Sequence, residues 1–157
     1  MPVTMRAPLY LEDITVGDKF VSETIAVDEA SIKEFAGRYD PQPFHLDDAA
    51  ARNSLFKGLA ASGWHTGAMS MRLIVQSVPI ANGVVGAGVE VAWPTPTRPG
   101  DVLHVESTIM AIAPSRSKPG QAIVTCQSDT LNQAGACVQR LTAKLLVFSR
   151  QVSTPSA

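Results

Sequence analysis

One long helical segment followed only by strand pattern confines this chain to few architectures. The segment runs over about 64–78, opened by Ser62-Gly63 and stopped by Pro79. Its apolar residues, Trp64, Ala68, Met69, Met71, Leu73, Ile74, Val75 and Val78, cover much of the circumference, which predicts a mostly buried helix. Beyond Ala81 the period changes to two. Val85, Ala87, Val89, Val91 and Trp93 alternate, as do Leu103, Val105, Ser107 and Ile109, and again Leu141, Ala143, Leu145 and Val147. A further strand covers roughly 121–130, and loops rich in Pro, Gly and Ser fall at 94–100, 114–120 and 132–135. Short connections favour antiparallel pairing. With one more strand ahead of the helix, over about 19–27, the expectation is an α+β fold. A curved antiparallel sheet of about five strands would wrap around a long central helix.

The first third adds local signals. Gly17 closes a turn over 11–18, and Asp28 is a good N-cap for a helix reaching about Arg38, with Ile32, Phe35 and Ala36 at helical spacing. Asp47 and Asp48 open a short helix over 49–53, where carboxylates suit the positive end. No repeat or linker divides the 157 residues, so a single domain over 9–150 with tails at 1–8 and 151–157 is expected. Thirteen basic residues balance 14 acidic ones without a basic stripe, which argues against nucleic acid and anionic membranes. No apolar run has the length of a signal or a membrane span. Cys126 and Cys137 lack a CxxC or a nearby His and read as reduced thiols of a cytoplasmic protein, with no metal site.

The chemistry concentrates in Tyr39-Asp40-Pro41-Gln42-Pro43-Phe44-His45-Leu46-Asp47. Pro41 and Pro43 lack N–H donors and push Asp40 and Gln42 out of the α region, which predicts a stiff, non-helical turn. An acid and an imidazole presented together are the usual pair for moving a proton at neutral pH. The alternative is a turn whose Asp40 bonds local backbone and whose His45 only packs.

This run resembles the Asp-x-Asn-Pro-(aliphatic)-His-x-(Asp/Glu) signature of the MaoC-like dehydratases and (R)-specific enoyl-CoA hydratases, which have the hotdog fold. Asp13-Ile14-Thr15-Val16-Gly17-Asp18, Gly63 eighteen residues after His45, and Pro96-Thr97-Arg98-Pro99-Gly100-Asp101 extend the resemblance over about 11–147. The chain departs from the pattern at Gln42, where the family has Asn, and at Tyr39, where it often has Gly. The resemblance implies reversible addition of water to a trans-2-enoyl-CoA, giving a 3-hydroxyacyl thioester. Asp40 and His45 would be the acid/base pair, in either order. The Gly63 N–H would stabilise the thioester oxygen, unless that glycine only allows tight helix packing. Gln42, Trp64 and His65 would contact substrate, with packing roles open for Trp64 (against the 49–53 helix) and His65. Coenzyme A enters as part of the substrate and no further cofactor is implied. A homodimer is implied, with dimers of dimers open. No basic residue among Lys57, Arg72, Arg98 and Arg116 stands out for the coenzyme A phosphates. The other readings are a hotdog acyl-CoA thioesterase and a non-catalytic acyl-thioester binding subunit.

Overall fold

The computed structural model describes residues 6–151; the parts of the expected tails at 1–5 and 152–157 lie outside the described residues. A single 3-10 turn at Leu11–Asp13 leads into β1 (Lys19–Val21) and β2 (Ile25–Ala26). Three helices follow, α1 (Glu29–Tyr39), α2 (Pro43–Leu46) and α3 (Asp48–Arg52), and then the long α4 (Gly63–Ser77). The chain closes with β3 (Val85–Ala92), β4 (Val102–Pro114), β5 (Gln121–Leu131) and β6 (Cys137–Phe148). All paired strands are antiparallel, in the order β1-β4-β5-β6-β3, with β2 also on β4.

Six strands replace the expected five because the segment over 19–27 is broken in two. Ser22 is the cause. Its hydroxyl oxygen accepts the Val105 N–H at 2.7 Å, a bond that a ladder carbonyl would otherwise take, so β1 stops and β2 resumes three residues later. Gly17, with φ +95°, supplies the left-handed turn into β1.

Helix α4 packs on β4 and β6. Leu73 and Ile74 join Val105, Ile109, Val124, Leu145 and Val147 in the main apolar cluster. A second cluster sets Ile32 of α1 against Val27, Leu59, Met69, Leu103 and Val138. The burial of α4 differs from the expectation. Thr66, Ser70 and Ser77 are buried while Trp64, Met71 and Val75 are exposed. Small hydroxyl side chains let the helix axis approach the sheet, and each finds a partner. Thr66 donates to Thr97 at 2.9 Å, Ser70 pairs with Thr130 at 2.6 Å, and Ser77 donates to the Leu73 carbonyl at 2.7 Å.

The closest approach is at Gly63. A Cβ there would lie 2.7, 2.8 and 3.0 Å from Cε2, Cδ2 and Cζ2 of Trp93, which follows β3. Real side chains do not pack at such distances. Gly63→Ala is therefore expected to cost about 1–3 kcal/mol by overpacking. The same substitution in a Trp93→Ala background should cost far less, a coupling that chemical denaturation of the four proteins of the cycle measures. Equal costs in both backgrounds would remove the indole as the reason for glycine.

Candidate active site

Four elements converge on the Asp40–His45 pair. Asp40 is the C-cap of α1, and the following Pro41 keeps its backbone (φ −152°, ψ 67°) out of the helical region. His45 lies inside α2, which corrects the expectation of a wholly non-helical run. Pro43 stands at the first helical position, where its missing N–H and fixed φ are tolerated, so one turn forms. The Asp47 side chain then accepts the Ala49 N–H at 2.9 Å and starts α3.

The Asp40 carboxylate is held on both oxygens. Oδ1 accepts from the Gln42 amide and Oδ2 from the Ser62 hydroxyl, each at 2.6 Å. Burial of this carboxylate works against its charge. The hydrogen bonds from Ser62 and Gln42 and the neighbouring imidazole outweigh that, and its pKa lies below the ordinary aspartate value. Asp40 is thus a carboxylate at neutral pH. His45 is buried, and its Nδ1 donates to the Ala60 carbonyl oxygen at 2.6 Å. Because a carbonyl only accepts, the proton is on Nδ1 and Nε2 faces Asp40 Oδ2 at 3.3 Å.

The loop carrying Ala60 has no regular structure, yet it is pinned. Ala60 N–H donates to Phe44 O at 3.2 Å and Ala61 N–H to Thr97 O at 2.9 Å. Asp48 accepts the Leu59 N–H at 3.0 Å. Arg98 gathers the carbonyls around a left-handed turn at Lys57 (φ 59°): Gly58 at 2.7 Å, Leu59 at 3.3 Å, and Phe56. This half-buried guanidinium is committed to backbone carbonyls.

A cavity of about 490 Å³ opens onto the pair, a volume usual for small-molecule sites. Asp40, Gln42, His45, Gly63 and Trp64 all line it. His65 does not. It stacks on Phe35 of α1 at 4.8 Å, its Nδ1 has no hydrogen-bond partner, and burial holds its pKa below the ordinary histidine value. Trp64 sits at the rim, 65% exposed, and packs edge-on against Trp93 rather than on α3.

Residues that the sequence reading missed complete the site. Ser62 caps α4, accepting the Trp64 N–H at 3.3 Å, and is fully buried against Asp40. Its position before the central helix was the only signal. Trp93 and Thr97 supply the opposite wall with Pro96. Gly63 is the first residue of α4, so its N–H has no intrahelical acceptor and sits at the positive end of the helix dipole. The cavity therefore brings together a carboxylate, the Nε2 of an imidazole and a backbone donor. Such a set can hold a water, move its proton and stabilise negative charge on an oxygen. Ser62 is hydrogen-bonded to Asp40 and not to a histidine, so its hydroxyl holds the carboxylate rather than acting as an activated nucleophile.

Removing the Ser62 hydroxyl deletes one of the bonds that depress the Asp40 pKa. In Ser62→Ala the pKa should rise, read directly from the carboxyl carbon shift of Asp40 by NMR. A carboxylate with a depressed folded pKa stabilises the fold above its unfolded pKa, and that stability is lost as pH falls through the folded value. The stability contributed by the Asp40 charge should be smaller in the variant, and its loss on acidification should be complete at a higher pH. An unmoved titration would remove Ser62 as a support of the charge.

Comparison with known proteins places this geometry. A family model described as "MaoC like domain" matches residues 13–130. The uncharacterised protein YdeM of Bacillus subtilis (strain 168) is 32% identical over 128 residues, covering 80% of this chain and 89% of that one. A solved MaoC-like dehydratase from Rhodospirillum rubrum is 64% identical with TM-score 0.89, over 90% of this chain and 98% of that chain. The R-hydratase PhaJ1 from Pseudomonas aeruginosa is 26% identical with TM-score 0.73, over 91% of this chain and 88% of that chain. The fold is the hotdog fold, and the chain belongs to the MaoC-like dehydratase family.

Proposed function

We propose that this protein is a hydro-lyase that adds water reversibly across the C2–C3 double bond of a trans-2-enoyl-CoA. The observation that carries this reading is the 3.3 Å approach of Asp40 Oδ2 and His45 Nε2, with Nδ1 already committed to Ala60. While the imidazole is neutral, both facing atoms are acceptors. A water between them can donate one hydrogen to each and keep a lone pair directed at C3 of a bound substrate. As the C3–O bond forms, one of those hydrogens passes to the pair and the π electrons shift toward the thioester oxygen. The Gly63 N–H supports that developing charge. The pair then delivers a proton to C2, which leaves Asp40 and His45 in their starting states. Gln42 fixes the Asp40 rotamer by bonding the oxygen that the water does not use. Dehydration is the same path in reverse.

Asp40→Asn and His45→Ala should each lower kcat by about 10²–10⁴-fold, the usual contribution of a positioned acid or base. Hydration is followed as loss of enoyl absorbance from crotonyl-CoA, and thiol release is followed in parallel. Near wild-type turnover in either variant, with circular dichroism unchanged, would refute the dyad. Thiol release without enoyl loss would make the protein a thioesterase.

The same reading extends to a homodimer. Among the described residues strand β3 pairs only with β6, and it carries exposed Val85 and Val89. Met71 and Val75 of α4 are exposed as well. An apolar edge of eight residues is a template for a second strand, here that of a second copy. Sedimentation at micromolar concentration should give a dimer, and Val89→Lys should raise the monomer fraction. A monomer that keeps full activity would defeat this assembly.

A further inference from the structure

The chain has two tryptophans, and both line the cavity, with ring centroids 5.3 Å apart in an edge-on pair. They are held very differently. The Trp93 indole N–H donates to the buried Gln139 side chain at 3.0 Å. Its carbons press on Gly63 so closely that no Cβ fits between them. Its backbone leads into Pro94, with Pro96 and Pro99 following, a segment with little freedom of φ. The polar atom of Trp93 is spent inside the protein, so the ring offers the cavity only carbon. Gly63 in turn adjoins Ser62, which bonds Asp40. The fixed indole therefore stands one residue's width from the dyad, beside the N–H that would meet a thioester oxygen. Trp64 is more exposed, 65% against 41% for Trp93, and marks the rim.

We propose that Trp93 is the residue that sets acyl size, closing the cavity so that it takes short, unbranched acyl thioesters. The inference rests on the enoyl-CoA reading of the site and gives the selecting role to Trp93 rather than to Trp64 at the rim. A chain that could extend past this ring should gain about fourfold in affinity per buried methylene. In the wild type that gain should be absent beyond the first few carbons, because the wall neither tilts nor yields.

Binding and turnover are measured separately on the full chain. Saturated butyryl-CoA and octanoyl-CoA are titrated by tryptophan fluorescence, with Trp64 as the reporter in Trp93→Ala and Trp93 as the reporter in Trp64→Ala. Hydration is compared on crotonyl-CoA and trans-2-octenoyl-CoA. The wild type should bind butyryl-CoA at least as tightly as octanoyl-CoA. Trp93→Ala should reverse the order, with an octanoyl-to-butyryl ratio raised about 10–100-fold, and Trp93→Phe should fall between. Trp64→Ala should leave that ratio within about threefold of wild type. Trp93→Phe keeps a ring on Gly63 and carries the test alone if the alanine variant fails to fold. A wild type that already prefers octanoyl-CoA overturns the proposal, as does an unchanged ratio in a folded Trp93 variant. If no enoyl-CoA is hydrated but the binding order still reverses, the hydro-lyase reading falls and the size-setting role of Trp93 stands.

Discussion

A carbonyl oxygen can only accept a hydrogen bond, and at Ala60 that asymmetry decides what His45 can do. With Nδ1–H fixed on Ala60, the imidazole turns Nε2 toward Asp40 and cannot exchange tautomers without losing a 2.6 Å buried bond. Leaving such a group unpaired costs about 1–3 kcal/mol, several times the thermal energy, so one orientation dominates. The bond is only as good as the placement of Ala60, which sits in a loop. Arg98 and Asp48 supply the rigidity that secondary structure would have given. Hydrogen bonds to charged groups contribute roughly twice as much as neutral ones, which suits a segment that must hold still without strand partners. The geometry of the Asp40–His45 pair thus depends on two charged side chains that do not line the cavity.

Ser62 links that geometry to the core. It is the N-cap of α4 and the donor to Asp40 at once, so the start of the helix and the carboxylate move as one body. The helix is held against the rest of the fold by apolar packing of Met69, Leu73 and Ile74 and by the hydroxyl pairs of Thr66 and Ser70. The hydroxyl residues occupy part of its buried face, while Trp64, Met71 and Val75 stay exposed.

The sequence carried the parts of this structure that local rules govern. Asp28 and Asp47 cap helices where their side chains reach the next turn, and buried residues recur every second position along much of β4, β5 and β6. Asp40 and His45 were legible because two prolines fix the chain between them. What failed was set by long-range contacts. Ser22 breaks a strand because Val105, distant in sequence, donates to it. Apolar periodicity in α4 mis-stated its burial because Thr97, in the loop after β3, and Thr130 of β5 offer hydroxyl partners to its inner face. Trp93 looked like one more alternating strand residue. Its role depends on Gln139 and Gly63, far along the chain. His65, adjacent to the helix start, turned to α1 because Phe35 offers a parallel ring.

Gly63 shows why a spaced glycine is ambiguous evidence on its own. Two readings were open, a donor for a thioester oxygen and a seat for close packing; the tight seat against Trp93 is what the structure shows, and it is compatible with the proposed donor. A side chain at this position would strike the Trp93 indole, and the displaced ring would then crowd the space in front of the N–H. Packing is therefore the means by which the donor stays accessible beside a bulky wall. Both cavity walls are stiffened by proline, Pro41 and Pro43 on the side of the dyad and Pro94 and Pro96 on the side of the indole. Walls fixed in this way give up little entropy when a ligand binds, and they also do not adapt to one that does not fit. Selectivity in such a cavity follows from shape already present before binding, which is why one ring on one glycine can govern it.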